Sequence, residues 1–139
     1  VKRKESEKLF VQVPFPSREL GQNYGGSWIN THVNKRDARA YAKVATLNAL
    51  SQSPFSFSKS DEFILICAIY PPNRRTDTTN NFCAMKNMID GIAEGMNVND
   101  RRFVACVVYL AGIDKNNPRV DVTIMIKKSG IKILIPDCT

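Results

Sequence analysis

The chain has one histidine, His32, and none of its four cysteines stands at CxxC spacing. A zinc site built from the common Cys/His sets therefore has no ligand spacing to support it. Cys67, Cys83, Cys106 and Cys138 fall mostly in apolar stretches, where they serve as small hydrophobes, and this usage points to reduced thiols inside a cell rather than to a disulfide framework. Long apolar runs are also missing. No stretch reaches the length of a bilayer span, and the charged start VKRKESEK leads into no apolar segment of signal-peptide length, so a cytoplasmic, membrane-free protein is expected. There is no internal repeat and no low-complexity tract.

What is present is ordinary in amount and biased in charge. At 139 residues, 43% hydrophobic and 24% charged, the chain has enough material for one core and one globular domain, with the first eight residues as a frayed lead-in. Acidic residues are too few to balance the basic ones: the net charge is +7, with a pI near 9.4. Such an excess favours polyanionic partners through phosphate attraction and counterion release, and nucleic acid is the first candidate.

Leu9–Val13 alternates apolar and polar residues as a half-buried strand does, and Pro14 and Pro16 end it. Residues 16–34 read as a long polar loop in which Tyr24 and Trp28 either stack on bases or pack the loop back onto the core. Lys35–Leu50 reads as a helix capped by Asn34, with Tyr41, Val44, Ala45 and Leu47 as its apolar positions. Arg36, Arg39 and Lys43 align along its other side, where they can follow a phosphate backbone. Phe55 and Phe57 brace the next element, Glu62–Tyr70, whose apolar run FILICAIY marks a central strand covered on both faces.

Pro71-Pro72 stops that strand and a polar turn follows, bearing Arg74, Arg75 and Asp77. Phe82, Met85, Ile89 and Ile92 then recur at helical spacing, with Thr79 or Asn80 as the N-cap and Gly91 and Gly95 loosening the end. Lys86 and Asp90, four residues apart, share the exposed face, and Asp100 sits on the loop ahead of the next strand. That strand, Arg102–Ala111, is expected to form a hairpin with Arg119–Lys127 through a turn at Asp114–Pro118; Ile131–Ile135 is a last strand or an oligomer contact. The element order implies an α+β domain, with a mixed sheet and two main helices packed against it.

Two acids, an intervening lysine and adjacent arginines suit metal-assisted attack on a phosphodiester: carboxylates hold a hard cation, the lysine meets the charge that develops at phosphorus, and the arginines hold flanking phosphates. The segment Arg74-Arg75, Asp77-Thr78-Thr79-Asn80, Lys86 with Asp90, Gly95 and Asp100 resembles the RusA family of Holliday junction resolvases. The likeness extends by order and spacing over residues 9–127, including the first strand, its PFPS end, Thr31-His32 and the basic helix.

The resemblance implies a homodimeric, Mg²⁺-dependent endonuclease, with Mn²⁺ as an alternative ion, that binds four-way or branched DNA and nicks opposing strands in pairs. By carry-over, Asp77 and Asp100 are catalytic acids and metal ligands, Lys86 is the electrostatic catalyst and Asp90 a supporting acid. Arg74 and Arg75 are phosphate contacts. The chain departs from the family pattern at Thr79, which occupies the metal-ligand position of a second aspartate; a neutral hydroxyl binds a cation more weakly than a carboxylate. Asp90 or Glu94 is the natural compensating neighbour. The alternative is a junction-binding protein whose metal site Thr79 has disabled, and a third reading is a basic protein-interaction module.

Overall fold

In the computed structural model, residues 7–16, 28–74 and 78–128 are described, with the backbone alone for 28–34, 78–81, 83 and 84. They form four strands, β1 (Lys8–Pro14), β2 (Phe63–Tyr70), β3 (Phe103–Leu110) and β4 (Arg119–Ile126), and two helices, α1 (Trp28–Gln52) and α2 (Thr78–Met96). The sheet is mixed and runs β1-β4-β2-β3, parallel between β2 and β3 and antiparallel elsewhere. The fold class is thus α+β, as the element order implies.

Strand periodicity sets one face of the sheet against the helices. Leu9, Val11 and Val13 of β1, Phe63, Leu65, Cys67 and Ile69 of β2, and Val120, Val122 and Ile124 of β4 are buried among Met85, Met88, Ile92 and Met96 of α2 and Ala42 of α1. Alternation puts the intervening residues on the opposite face, where Phe10 is exposed and Gln12 Nε2 donates to Asp121 Oδ1 at 3.0 Å. Phe63 is the hub of an aromatic group: Phe57 meets it edge-on at 5.1 Å between centroids, with Phe103 at 6.0 Å and Phe55 at 6.3 Å. The bracing role of Phe55 and Phe57 follows from this packing.

The expected hairpin between the last two strands does not form. β3 lies at the sheet edge beside β2, while β4 enters on the other side of β2 and pairs with both β2 and β1. The intervening segment holds to the end of β2 instead, through Ala111 N to Ile69 O and Asp114 N to Pro71 O, both 2.9 Å. The helical connection α2 returns the chain for parallel pairing of β2 with β3, which leaves the other edge of β2 open to β4.

Both helices are longer than their sequence signals suggest. α1 starts at Trp28, so Trp28 and residues 29–34 belong to the helix rather than to a loop, and Asn34 is internal and not its cap. After Gly26 the chain has neither Gly nor Pro to halt a helix before Pro54. α2 starts at Thr78, which puts Thr79 and Asn80 in its first turn rather than at the cap. Gly91 and Gly95 do not loosen its end. They are buried inside it, where α1 crosses so closely that a Cβ on Gly95 would stand 2.7 Å from Thr46 Cβ, and one on Gly91 would collide with the Arg39 carbonyl. α2 stops at Asn97, whose left-handed backbone (φ 57°) lets its amide reach Glu94 O and that of Val98 reach Ala93 O, each at 3.0 Å.

Candidate functional site

The residues expected to act together are distributed along α2. Lys86 and Asp90 project from its exposed side as an i, i+4 pair, Nζ to Oδ2 3.8 Å, with the lysine side chain 75% exposed and the aspartate 22%. Asp90 also lines an open cleft of about 390 Å³ between the C-terminal half of α2, α1 and the following loop. Asp100, Glu94, Asn99 and Arg39 share that cleft. Asp90 and Asp100, ten positions apart in the chain, are therefore brought to one place.

The loop geometry explains how. Asn99 caps a single 3-10 turn, Asp100–Arg102, its Oδ1 accepting from Arg101 N at 2.9 Å, and this turn presents Asp100 to solvent. Arg102 anchors the turn to the body of the protein: Nε donates to Asp61 O at 2.7 Å and Nη2 to Ser58 O at 2.5 Å, while the guanidinium stands 5.2 Å from the Phe63 ring centroid and 5.8 Å from that of Phe57. Sequence reading passed over this arginine. Its signal was there in the aromatic residues of 55–63, which give a cation a face to stack on.

The N-terminal part of the expected site falls mostly outside the described residues. Arg74 is exposed beyond the end of β2; Arg75 and Asp77 lie outside the described residues, as do the side chains of Thr79 and Asn80. Thr78, bonded to Asp77, opens α2, and Asp100 follows the helix's other end. A helix of 19 residues at about 1.5 Å per residue is about 28 Å long. The two ends are not brought together within one copy. Among the described residues no group of three or more His, Cys, Asp or Glu side chains is placed to hold a metal ion. Mg²⁺ prefers six oxygen ligands at about 2.1 Å, and Asp90 and Asp100 are carboxylates of the cleft that would contribute to such a set.

The basic face of α1 is exposed at Arg36, Arg39 and Lys43, but its charges are unequal. Arg39 is committed to Glu94 of α2 in an ion pair across the helix crossing. Arg36 meets its neighbour Asp37 at 3.5 Å, with both side chains well exposed. Glu94, a candidate to compensate for Thr79, is thus held by a cation.

Two further clusters lie away from the cleft. At the far end of β2, Arg119 Nη1 donates to Asp114 Oδ2 at 2.6 Å, its Nε is 3.4 Å from Asp121 Oδ1, and the guanidinium stacks 4.1 Å from the Tyr70 ring centroid. The Asn117 amide and Arg119 hold the Asp114 carboxyl below its ordinary range, and the bond to Asp114 raises Arg119 further. Cys67 and Cys106, on adjacent strands, are free thiols; the hydrogen bond between them together with burial pushes Cys67 up. The side chains of the other two cysteines and of His32 lie outside the described residues.

No family model matches the chain. It is similar to an uncharacterized protein of Xylella fastidiosa (strain Temecula1 / ATCC 700964), 33% identical over 96 residues that cover 68% of this chain and 62% of that protein. The chain therefore spans less than two thirds of the length of this relative. Among the described residues no helix is long and apolar enough to cross a membrane.

Proposed function

We propose that the protein is a structure-selective, metal-dependent endonuclease that nicks four-way DNA junctions in pairs, acting as a homodimer. The observation that carries this reading is the pairing of Lys86 with Asp90 on the exposed side of α2, with Asp90 and Asp100 lining one cleft. These are the positions that match the RusA motif. In this reading Arg36, Lys43, Arg74 and Arg75 hold phosphates and set register without reading bases. Lys86, oriented by its pairing with Asp90, supplies positive charge where charge grows on the phosphate. The +7 charge drives association with the junction.

The test is incubation of the purified protein with a labelled four-way junction and a matched duplex, in Mg²⁺, in Mn²⁺ and in EDTA, scoring binding and nicking together. Paired nicks that require metal and disappear in Asp100→Asn, with junction binding retained, support the enzyme. The neutral Thr79 in a carboxylate position favours one other reading, a junction-binding protein without cleavage. Selective binding without nicks, and nicking gained by Thr79→Asp, would select it. Equal affinity for junction and duplex sinks both.

A further inference from the structure

Both helices pack against the side of the sheet that carries Leu9, Leu65 and Val122. The strand registers fix what stands on the other side, row by row. Phe10 of β1, Thr123 of β4, Ile66 of β2 and Val107 of β3 form one row, and Gln12, Asp121, Ala68 and Tyr109 form the next. Arg119 and Tyr70 follow in a third.

These rows describe a trough. Its floor is low, because Thr123, Ile66 and Ala68 on the two central strands are smaller than the rings on the two edge strands. Phe10 and Tyr109 stand at opposite margins, three strand spacings or about 14 Å apart across the sheet, and Tyr70 closes one end. The trough has a volume of about 390 Å³. The core requires apolar residues only at the inward positions of each strand, so it does not account for Phe10, which is 66% exposed.

The chemistry of the trough divides across its width. Over β2 and β3 it is apolar, and over β1 and β4 it offers Gln12, Asp121 and Thr123. Gln12 Nε2 donates to Asp121 Oδ1 at 3.0 Å and Arg119 Nε lies 3.4 Å from the same oxygen, so the carboxylate is already answered. A ring with an apolar face and a hydrogen-bonding edge fits this division, and a nucleobase is such a ring. Cations stand at both ends. Lys8 and Lys127, which continues the outward phase of β4, lie at one end, and exposed Lys115 lies in the turn at the other. The eight steps of chain from Arg119 to Lys127 span about 27 Å, room for several nucleotides. Lys127 meets Glu62 at 3.8 Å in an exposed pair that a phosphate can replace. The net charge of +7 favours a polyanion here and opposes a second copy of the same chain.

We propose that this open sheet face is a binding site for single-stranded DNA. Unpaired bases stack on Phe10 and Tyr109 above the Ile66–Ala68 floor, their edges toward Gln12 and Thr123, while the backbone runs between Lys127 and Lys115. The site lies across the sheet from the Asp90–Asp100 cleft and does not depend on nuclease activity.

Fluorescence anisotropy with three labelled probes tests this: oligothymidylate of about 12 nucleotides, an abasic strand of equal length and charge, and a matched duplex. Oligothymidylate should bind more tightly than the abasic strand. Phe10→Ala and Tyr109→Ala should each weaken oligothymidylate binding by about fivefold or more and leave the abasic strand and the duplex unchanged. Lys127→Ala should lower the salt slope for both single strands alike. Phe10 is exposed, so an unchanged thermal midpoint in Phe10→Ala confirms that the fold is intact. Equal affinity for oligothymidylate and the abasic strand overturns the proposal, as does indifference of oligothymidylate binding to both alanine variants. A dimer that sedimentation finds dissociated by Phe10→Asp, with oligothymidylate affinity unchanged, gives the face to a second copy and also overturns it. If four-way junctions are neither preferred nor nicked while oligothymidylate binding depends on Phe10, the nuclease reading fails and this site stands.

Discussion

Gly95 lies flush against Thr46: the hydrogen on its Cα occupies the space between α2 and α1, with Thr46 Cβ 2.7 Å and Lys43 O 2.9 Å from where a Cβ would be. Thr46 is itself fully buried, its hydroxyl satisfied by the Ala42 carbonyl at 2.8 Å, so it has little freedom to yield. One turn earlier Gly91 meets the Arg39 backbone and Ala42 in the same way. The close crossing brings Arg39 within reach of Glu94 and forms the wall of the cleft that holds Asp90 and Asp100.

Gly95→Ala and Gly91→Ala should therefore each destabilise the protein by about 1–3 kcal/mol, as overpacking does. Helix propensity alone would favour alanine by about 1 kcal/mol, so the sign of the effect decides which influence wins. Urea denaturation measures it. Stabilisation in either variant would mean that the helices do not cross this closely.

Salt dependence of junction binding should separate the three cations of α1. Removing Arg36 or Lys43 is expected to lower the magnitude of the slope of log K against log salt by about 1 each, with stability unchanged. Arg39→Ala should change the slope less. It also removes a partly exposed ion pair between the helices, of the kind worth about 0.2–1 kcal/mol. Three equal slopes would place Arg39 on phosphate despite Glu94.

The turn before β4 should confer acid sensitivity. Asp114 accepts from the amides of Asn116 and Asn117 and from Arg119, and its carboxyl is held below the ordinary value of 3.8. A carboxyl depressed in the folded state adds stability above its unfolded pKa and loses that contribution as the pH falls through the folded pKa. Asp114→Asn should therefore be less stable than wild type near neutral pH, with the two thermal midpoints converging below about pH 4. A difference that does not shrink as the pH falls would assign the effect to packing instead.

Thiol chemistry should distinguish the paired cysteines. Cys67 is fully buried and its thiol is pushed up, which keeps it protonated at neutral pH. Alkylation followed by peptide mapping should leave Cys67 unmodified in the native protein and modify it on unfolding in urea. Modification of Cys67 as fast as a free thiol would contradict its burial.

Short-range patterns decide much of this fold. The alternation in Leu9–Val13 and Val120–Ile126, the unbroken apolar run FILICAIY and the three- and four-residue steps from Met85 to Ile92 each reflect a local period, and each element appears where its period places it; Phe82, expected on the same buried stripe, is exposed instead. Lys86 and Asp90 were legible in the same way, since four residues on a helix always share a face. Strand partners were not. A strand's alternation states that one face is buried and carries no label for its neighbour, so whether β4 paired with β3 or with β2 depended on a parallel connection formed by another part of the chain. Glycines 91 and 95 look like breakers in sequence because their conformational freedom is a local property; that a second helix presses against them is a fact of tertiary contact. The same distinction governs the site. Sequence puts Asp77, Lys86, Asp90 and Asp100 within 24 residues of one another, but α2, whose 19 residues span about 28 Å from end to end, intervenes within that stretch. Only the folded structure shows that Asp90 and Asp100 meet in one cleft.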